Sequence, residues 1–261
     1  ANSSRSIDLA VSQGIGWLEA MQNPDGGWAA YVWGLGSKPP GPAFVEPPTL
    51  SLDDPRVWIA TLRDPPVELS DPAWEDVTAR VLSGLGACGW RAGQPLVDRA
   101  VAFLEAQQCD NGAWWGRWIG CYVPATACAL LGLAAVHAEL RAPWVLRAGA
   151  WLERCQNEDG GWGESVDVYC RPETAGRGAS NACATGMAVT ALIALGLAHD
   201  ACVQRGVAYL MASQHADGSW SNGAFLHGLV PPASFYAFGI SPMVYPLRAL
   251  GAYRGATEEL A

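Results

Sequence analysis

Apolar residues recur along this chain at helical spacing, and four times the helical run ends in the same polar frame. Written from its glutamine, the frame is Gln, three residues, Gly, one residue, Trp. It occurs as Gln22 to Trp28, Gln108 to Trp114, Gln156 to Trp162 and Gln214 to Trp220. Counting back from each glutamine, the fourth residue is Leu18, Leu104, Leu152 or Leu210, and the fifth is Trp17, Phe103, Trp151 or Tyr209. The eighth is small: Gly14, Ala100, Ala148 or Gly206. Offsets of three and four put these residues on one face of a helix, and the small residue lets that face pack closely on a neighbour. Asp25, Asn111, Asp159 and Asp217 stand directly before the frame glycine, where a turn takes a short polar side chain and then a residue that accepts positive φ. Each repeat therefore predicts helix, glycine turn, helix, with the tryptophan plugging the turn.

In chain order, helices are expected over Ile7 to Met21, Trp74 to Ala87, Pro95 to Gln108, Tyr122 to Ala138 and Asn181 to Ala198, with a last one beginning near Pro242. Prolines at 39, 40, 42, 47, 48, 55, 65 and 66 break any period between Gly34 and Pro72, so a long loop is expected at about 34–72. It accounts for the first two frames standing 86 positions apart, against 48 and 58 for the others. Such a loop serves either as a lid or cavity wall or as a solvated connector. Further loops are expected at Ser165 to Ser180 and at Phe225 to Phe238, the latter grouping Phe235, Tyr236 and Phe238. The expected fold is all-α, one domain over 1–261, built of helix pairs that bury their faces only by stacking on one another.

Composition narrows the function classes. Half of the residues are hydrophobic and only 16% charged, which points to a heavily buried or apolar-lined protein, and thirteen tryptophans reinforce this. A net charge of −9 with no basic cluster argues against nucleic acid. The eight cysteines form no metal pattern and read as packed, reduced thiols of a cytoplasmic protein. The longest apolar stretches, around Ala127 to Val136 and Met187 to Ala198, are too short to span a bilayer, which leaves peripheral membrane contact open.

The glutamine-to-tryptophan frame resembles that of the squalene-hopene cyclase family of class II terpene cyclases. Further segments resemble that family in the same order: Asp71 to Leu82, Trp114 to Tyr122, Gly160 to Ser165 with Ala175 to Ser180, and Tyr245 to Tyr253. The resemblance implies an α/α barrel of six helix pairs, of which about four lie here. It implies a polyprenyl substrate cyclised through carbocations after protonation by an aspartic acid, with no cofactor and no metal. The family's acid motif, Asp-x-Asp-Asp-Thr, is expected upstream of Ala1, in the remaining N-terminal portion of the same or a separate chain. Without it, these 261 residues are expected to be inactive alone. Asp53 and Asp54, followed by Pro55, read as loop capping. Asp76 matches an acid-supporting position, although a carboxylate in a first helical turn is also an ordinary dipole partner. Arg80 stands where the family commonly has His, and its permanent charge could orient an acid but not titrate. Tyr31, Trp118, Tyr122, Phe235 and Phe238 are expected to line one cavity, the alternative being ordinary core. Two other readings are a non-catalytic α/α scaffold or assembly subunit and a protein prenyltransferase β-subunit. The latter needs zinc, for which Asp167 and Cys170 are the available ligands.

Overall fold

The computed structural model describes residues 2–31, 71–221, 223, 225–230 and 234–258. Most of the expected 34–72 loop, with Asp53 and Asp54, lies outside the described residues.

The frames fold alike. In each, the tryptophan indole N–H donates to the carbonyl ten residues back: Trp28 to Leu18 at 2.8 Å, Trp114 to Leu104 at 2.7 Å, Trp162 to Leu152 at 2.7 Å and Trp220 to Leu210 at 2.8 Å. The frame Asp or Asn accepts from the backbone N–H two residues on, at 2.9 to 3.0 Å. The glycine between them has φ of +86° to +95°, a conformation that L side chains rarely adopt. Three frame tryptophans also donate their backbone N–H to a threonine hydroxyl of the following inner helix, Thr78, Thr126 or Thr185.

Among the described residues there are eight α-helices. The first of each pair is α1 (Asn2–Ala20), α3 (Pro95–Ala106), α5 (Pro143–Arg154) or α7 (Ala201–Ala212). Each leads through its frame to α2 (Glu75–Ala87), α4 (Tyr122–Ala135), α6 (Ala182–Ala194) or α8 (Ser241–Glu258). The second set packs side by side in chain order as an inner layer, and α3, α5 and α7 pack outside it. The inner α4 and α6 are apolar nearly all round, as befits helices covered on every side. Close approach follows from small residues: a side chain at Gly132 of α4 would meet the Ala79 carbonyl oxygen of α2 at 2.5 Å. One continuous core runs through the layers, from Trp28 and Trp74 to Trp220 and Ala249. The result is all-α, a segment of a helix-pair toroid.

The Ser165 to Ser180 loop contains two short 3-10 turns, Val166–Tyr169 and Pro172–Thr174. The Phe225 to Phe238 segment, expected as a loop, holds a small antiparallel hairpin of β1 (His227–Val230) and β2 (Ser234–Tyr236). Strands of three or four residues are too short to show an alternating pattern, and this pair is helped by His227 stacking on Tyr236 at 5.4 Å. No helix of the described residues is long and apolar enough to cross a membrane.

Candidate functional site

After the second frame the chain runs through Trp114-Trp115-Gly116-Arg117-Trp118 before α4 begins, and two buried carboxylates hold this aromatic loop. Asp76, in the first turn of α2, accepts from the backbone N–H groups of Trp118 at 2.6 Å and Ile119 at 2.7 Å through Oδ2, and from Val77 through Oδ1. Glu164, just after the third frame, accepts from Tyr122 at 2.8 Å and Val123 at 2.6 Å, the first N–H groups of α4, and from Gly176 at 2.7 Å. Tyr169 completes the clamp: its hydroxyl donates to the Gly116 carbonyl and accepts from the Cys121 N–H, both at 2.7 Å. Cys121 is thereby held at φ +56°, a conformation that costs roughly 1–3 kcal/mol and persists only when its surroundings impose it. Burial pushes Glu164 up to about 7 even though three backbone donors pull it down.

The loop presents its charge and rings in layers. The buried Arg117 guanidinium lies 4.4 Å from the Trp118 ring centroid and 5.5 Å from that of Trp74. Trp74 packs on Trp115, Trp115 on Tyr169 and Tyr169 on Phe235, at 5.3 to 5.7 Å between centroids. Tyr31 meets the edge of Trp118 at 5.3 Å, and Asp71 accepts from its backbone N–H.

Beside Trp118 is a cavity of about 250 Å³ lined by Arg80, Trp118, His227, Tyr236, Phe238 and the start of α8, including Ser241 and Tyr245. Arg80 and Tyr245 also face a second cavity of about 270 Å³ between the inner helices. Burial works against the charge on Arg80, but Cys128, Asp76 and Tyr245 together outweigh it and raise its pKa. His227 is the reverse case. Burial and the Arg80 charge hold it down to about 4, against a ring hydrogen bond to the Trp118 backbone, so the imidazole is neutral near pH 7. Its Nε2 lies 3.3 Å from the Ser241 hydroxyl.

Of the residues singled out in the sequence, Arg80, Trp118 and Phe238 line the same cavity, and Asp76 lies behind it through the Trp118 backbone. Tyr31, 73% exposed, touches that lining through Trp118 but is not part of it, and Phe235 packs on Tyr169, outside it. Tyr122 is buried at the start of α4, outside that lining. Asp167 pairs with Arg171 at 2.8 Å, and among the described residues no three His, Cys, Asp or Glu side chains are grouped to hold a metal ion. Sequence reading passed over His227, Glu164 and Tyr169. The acid in the Gly160 to Ser165 segment was visible, but its partners are the first two residues of α4 and Gly176.

A profile of the squalene-hopene cyclase C-terminal domain matches residues 63–255. The squalene-hopene cyclase of Alicyclobacillus acidocaldarius is 40% identical over 95% of this chain, and that of Schizosaccharomyces japonicus 35% identical over 94%. The matches cover 37% and 35% of those proteins, so the chain spans a little over a third of their length. In fold it is similar to the crystal structure of a protein from Actinoplanes, with a TM-score of 0.57 at 19% identity, over 90% of this chain and 66% of that one. The chain belongs to the squalene-hopene cyclase family and corresponds to its C-terminal part.

Proposed function

We propose that this chain forms one wall of the cavity in which a class II terpene cyclase folds and cyclises a linear polyprenyl substrate. The observation that carries this reading is the convergence of Arg80, Trp118, Tyr236 and Phe238 on one cavity, with the Trp118 backbone fixed by buried Asp76. Proton-initiated cyclisation needs an acid, a dry cavity and surfaces that tolerate positive charge. The acid belongs to an Asp-rich segment outside these residues. Asp76 has its carboxylate committed to three backbone N–H groups, so it acts by positioning. Arg80 is placed to orient an incoming carboxylic acid, and the ring faces of Trp118, Tyr236 and Phe238 each stabilise a passing cation by ~0.5–2 kcal/mol.

The test is product analysis of the assembled cyclase with a polyprenyl substrate. Trp118→Leu is expected to redistribute products while leaving unfolding nearly unchanged. Arg80→Ala is expected to lower turnover on the order of 10²-fold by misplacing the acid. Unchanged products with a large loss of stability would assign Trp118 to the core and favour a scaffold role.

A further inference from the structure

A cyclisation that starts with a proton ends either by losing one or by capturing water, because the last ring closure leaves a carbocation. Proton loss needs a basic lone pair beside that cation. Among the described residues, the cavity beside Trp118 holds one such group. The Arg80 guanidinium is already protonated, the hydroxyls of Tyr236, Ser241 and Tyr245 are weak bases, and the rest of the lining apart from His227 is hydrocarbon or indole. Asp76 stands behind the Trp118 backbone with its carboxylate committed to N–H groups.

His227 is buried on β1, and three rings fix its plane. It stacks on Tyr236 at 5.4 Å and meets Phe225 and Phe238 edge-on at 5.1 and 4.9 Å between centroids. Its Nε2 lies 3.3 Å from the Ser241 hydroxyl, and the ring also hydrogen-bonds to the Trp118 backbone. A neutral imidazole has one proton. Given to the Trp118 carbonyl, it leaves the lone pair on Nε2, toward Ser241 and the start of α8. Tyr236 and Phe238, which hold the imidazole in place, also present the ring faces that attract a cation, so the cation is drawn toward the base.

We propose that His227 is the catalytic base that ends the cyclisation. Nε2 takes a proton from a carbon next to the final carbocation, the electron pair of that C–H bond becomes the new C=C bond, and the product leaves as an olefin. The imidazolium then passes its proton to the carboxylate that the initiating acid has become, which restores both groups and makes product an isomer of substrate. Arg80 lines the same cavity, and its charge, together with burial, disfavours imidazolium and so favours that return. The inference rests on the proposed function and adds to it the terminating step and the class of product.

The test uses the assembled cyclase, acid-bearing portion included, with squalene as the probe and products identified by mass spectrometry and NMR. The wild-type protein is expected to give one principal cyclic olefin. His227→Phe keeps a flat ring against Tyr236 but has no lone pair. It should cut the share of that olefin roughly ten-fold or more, in favour of other double-bond isomers and alcohols. His227→Ala should scatter the products likewise, and imidazole added to the medium should restore the principal olefin, a recovery that a packing role alone would not show. An unchanged product distribution in His227→Phe, scatter in His227→Ala that imidazole leaves as it is, or an alcohol as the principal wild-type product would overturn the proposal. Should His227→Phe fail to fold, the imidazole experiment decides alone. No cyclised product from the wild-type protein would contradict the proposed function, and this inference with it.

Discussion

Asp76 and Glu164 do the same job from opposite sides of the aromatic loop, each taking backbone N–H groups that would otherwise be buried unpaired. Asp76→Asn keeps the size but turns an amide donor toward at least one of those donors. A loss of roughly 2–4 kcal/mol in chemical denaturation is expected, with Trp fluorescence of the native state altered. Glu164 and His227 make opposite contributions to pH dependence. Raised from 4.5 to about 7, Glu164 keeps a proton in the folded chain that the unfolded chain releases, so its contribution is full below about 4.5 and lost as pH rises to 7. Lowered from 6.5 to about 4, His227 stays neutral when the unfolded chain has already bound a proton, so stability is lost as pH falls from 6.5 to 4. Between about 4.5 and 6.5 the two largely cancel. Stability of Glu164→Gln should therefore rise with pH there, and that of His227→Asn should fall, each approaching ~1.4 kcal/mol per pH unit. Parallel slopes in the two variants would contradict the assignment. At this scale the frame residues were legible because their partners lie close by or recur in register. Glu164 and Tyr169 were not, since Glu164 takes donors from Tyr122 and Gly176 and Tyr169 from Cys121, which no local pattern joins.

Helix pairs were legible because one register of Gln, Leu, aromatic and small residues repeats four times; of the six helices given expected starts, five begin within one residue of them, and α1 begins at Asn2 rather than Ile7. The hairpin of β1 and β2 was not, because its strands are short and its pairing is irregular between Gly228 and Val230. The same repeat makes a comparison between elements possible. Gly160→Ala and Gly218→Ala impose the same positive-φ penalty, roughly 1–3 kcal/mol, but only at Gly160 does the new methyl meet the Arg205 carbonyl. A further ~1–3 kcal/mol is expected for Gly160→Ala in urea unfolding of the 261-residue chain. Equal losses would mean that the frames are not docked differently.

Across the whole molecule, the inner layer of α2, α4, α6 and α8 brings to one cavity residues far apart in the chain: Arg80, Trp118 and Phe238, with His227 and Tyr236 from the hairpin. The aromatic surplus was plain in the composition, but which rings face a cavity depends on how the repeats stack. Trp118 and Phe238 share the lining, whereas Tyr122 caps the start of α4 inside the core. Large apolar side chains stand exposed on α1, at Ile7, Leu9 and Trp17, and on or beside α8, at Ile240, Val244 and Leu247. That is the surface expected where a toroid continues into further helices.

The central claim, that this chain supplies the wall and another segment the acid, is tested most directly by incubating a linear polyprenyl substrate with the 261-residue chain alone and with the acid-bearing cyclase portion added, and analysing the products. Cyclised product is expected only from the combination, with its distribution shifted by Trp118→Leu. Turnover by the chain alone, abolished by Asp54→Asn, would place the acid within these residues and contradict the claim.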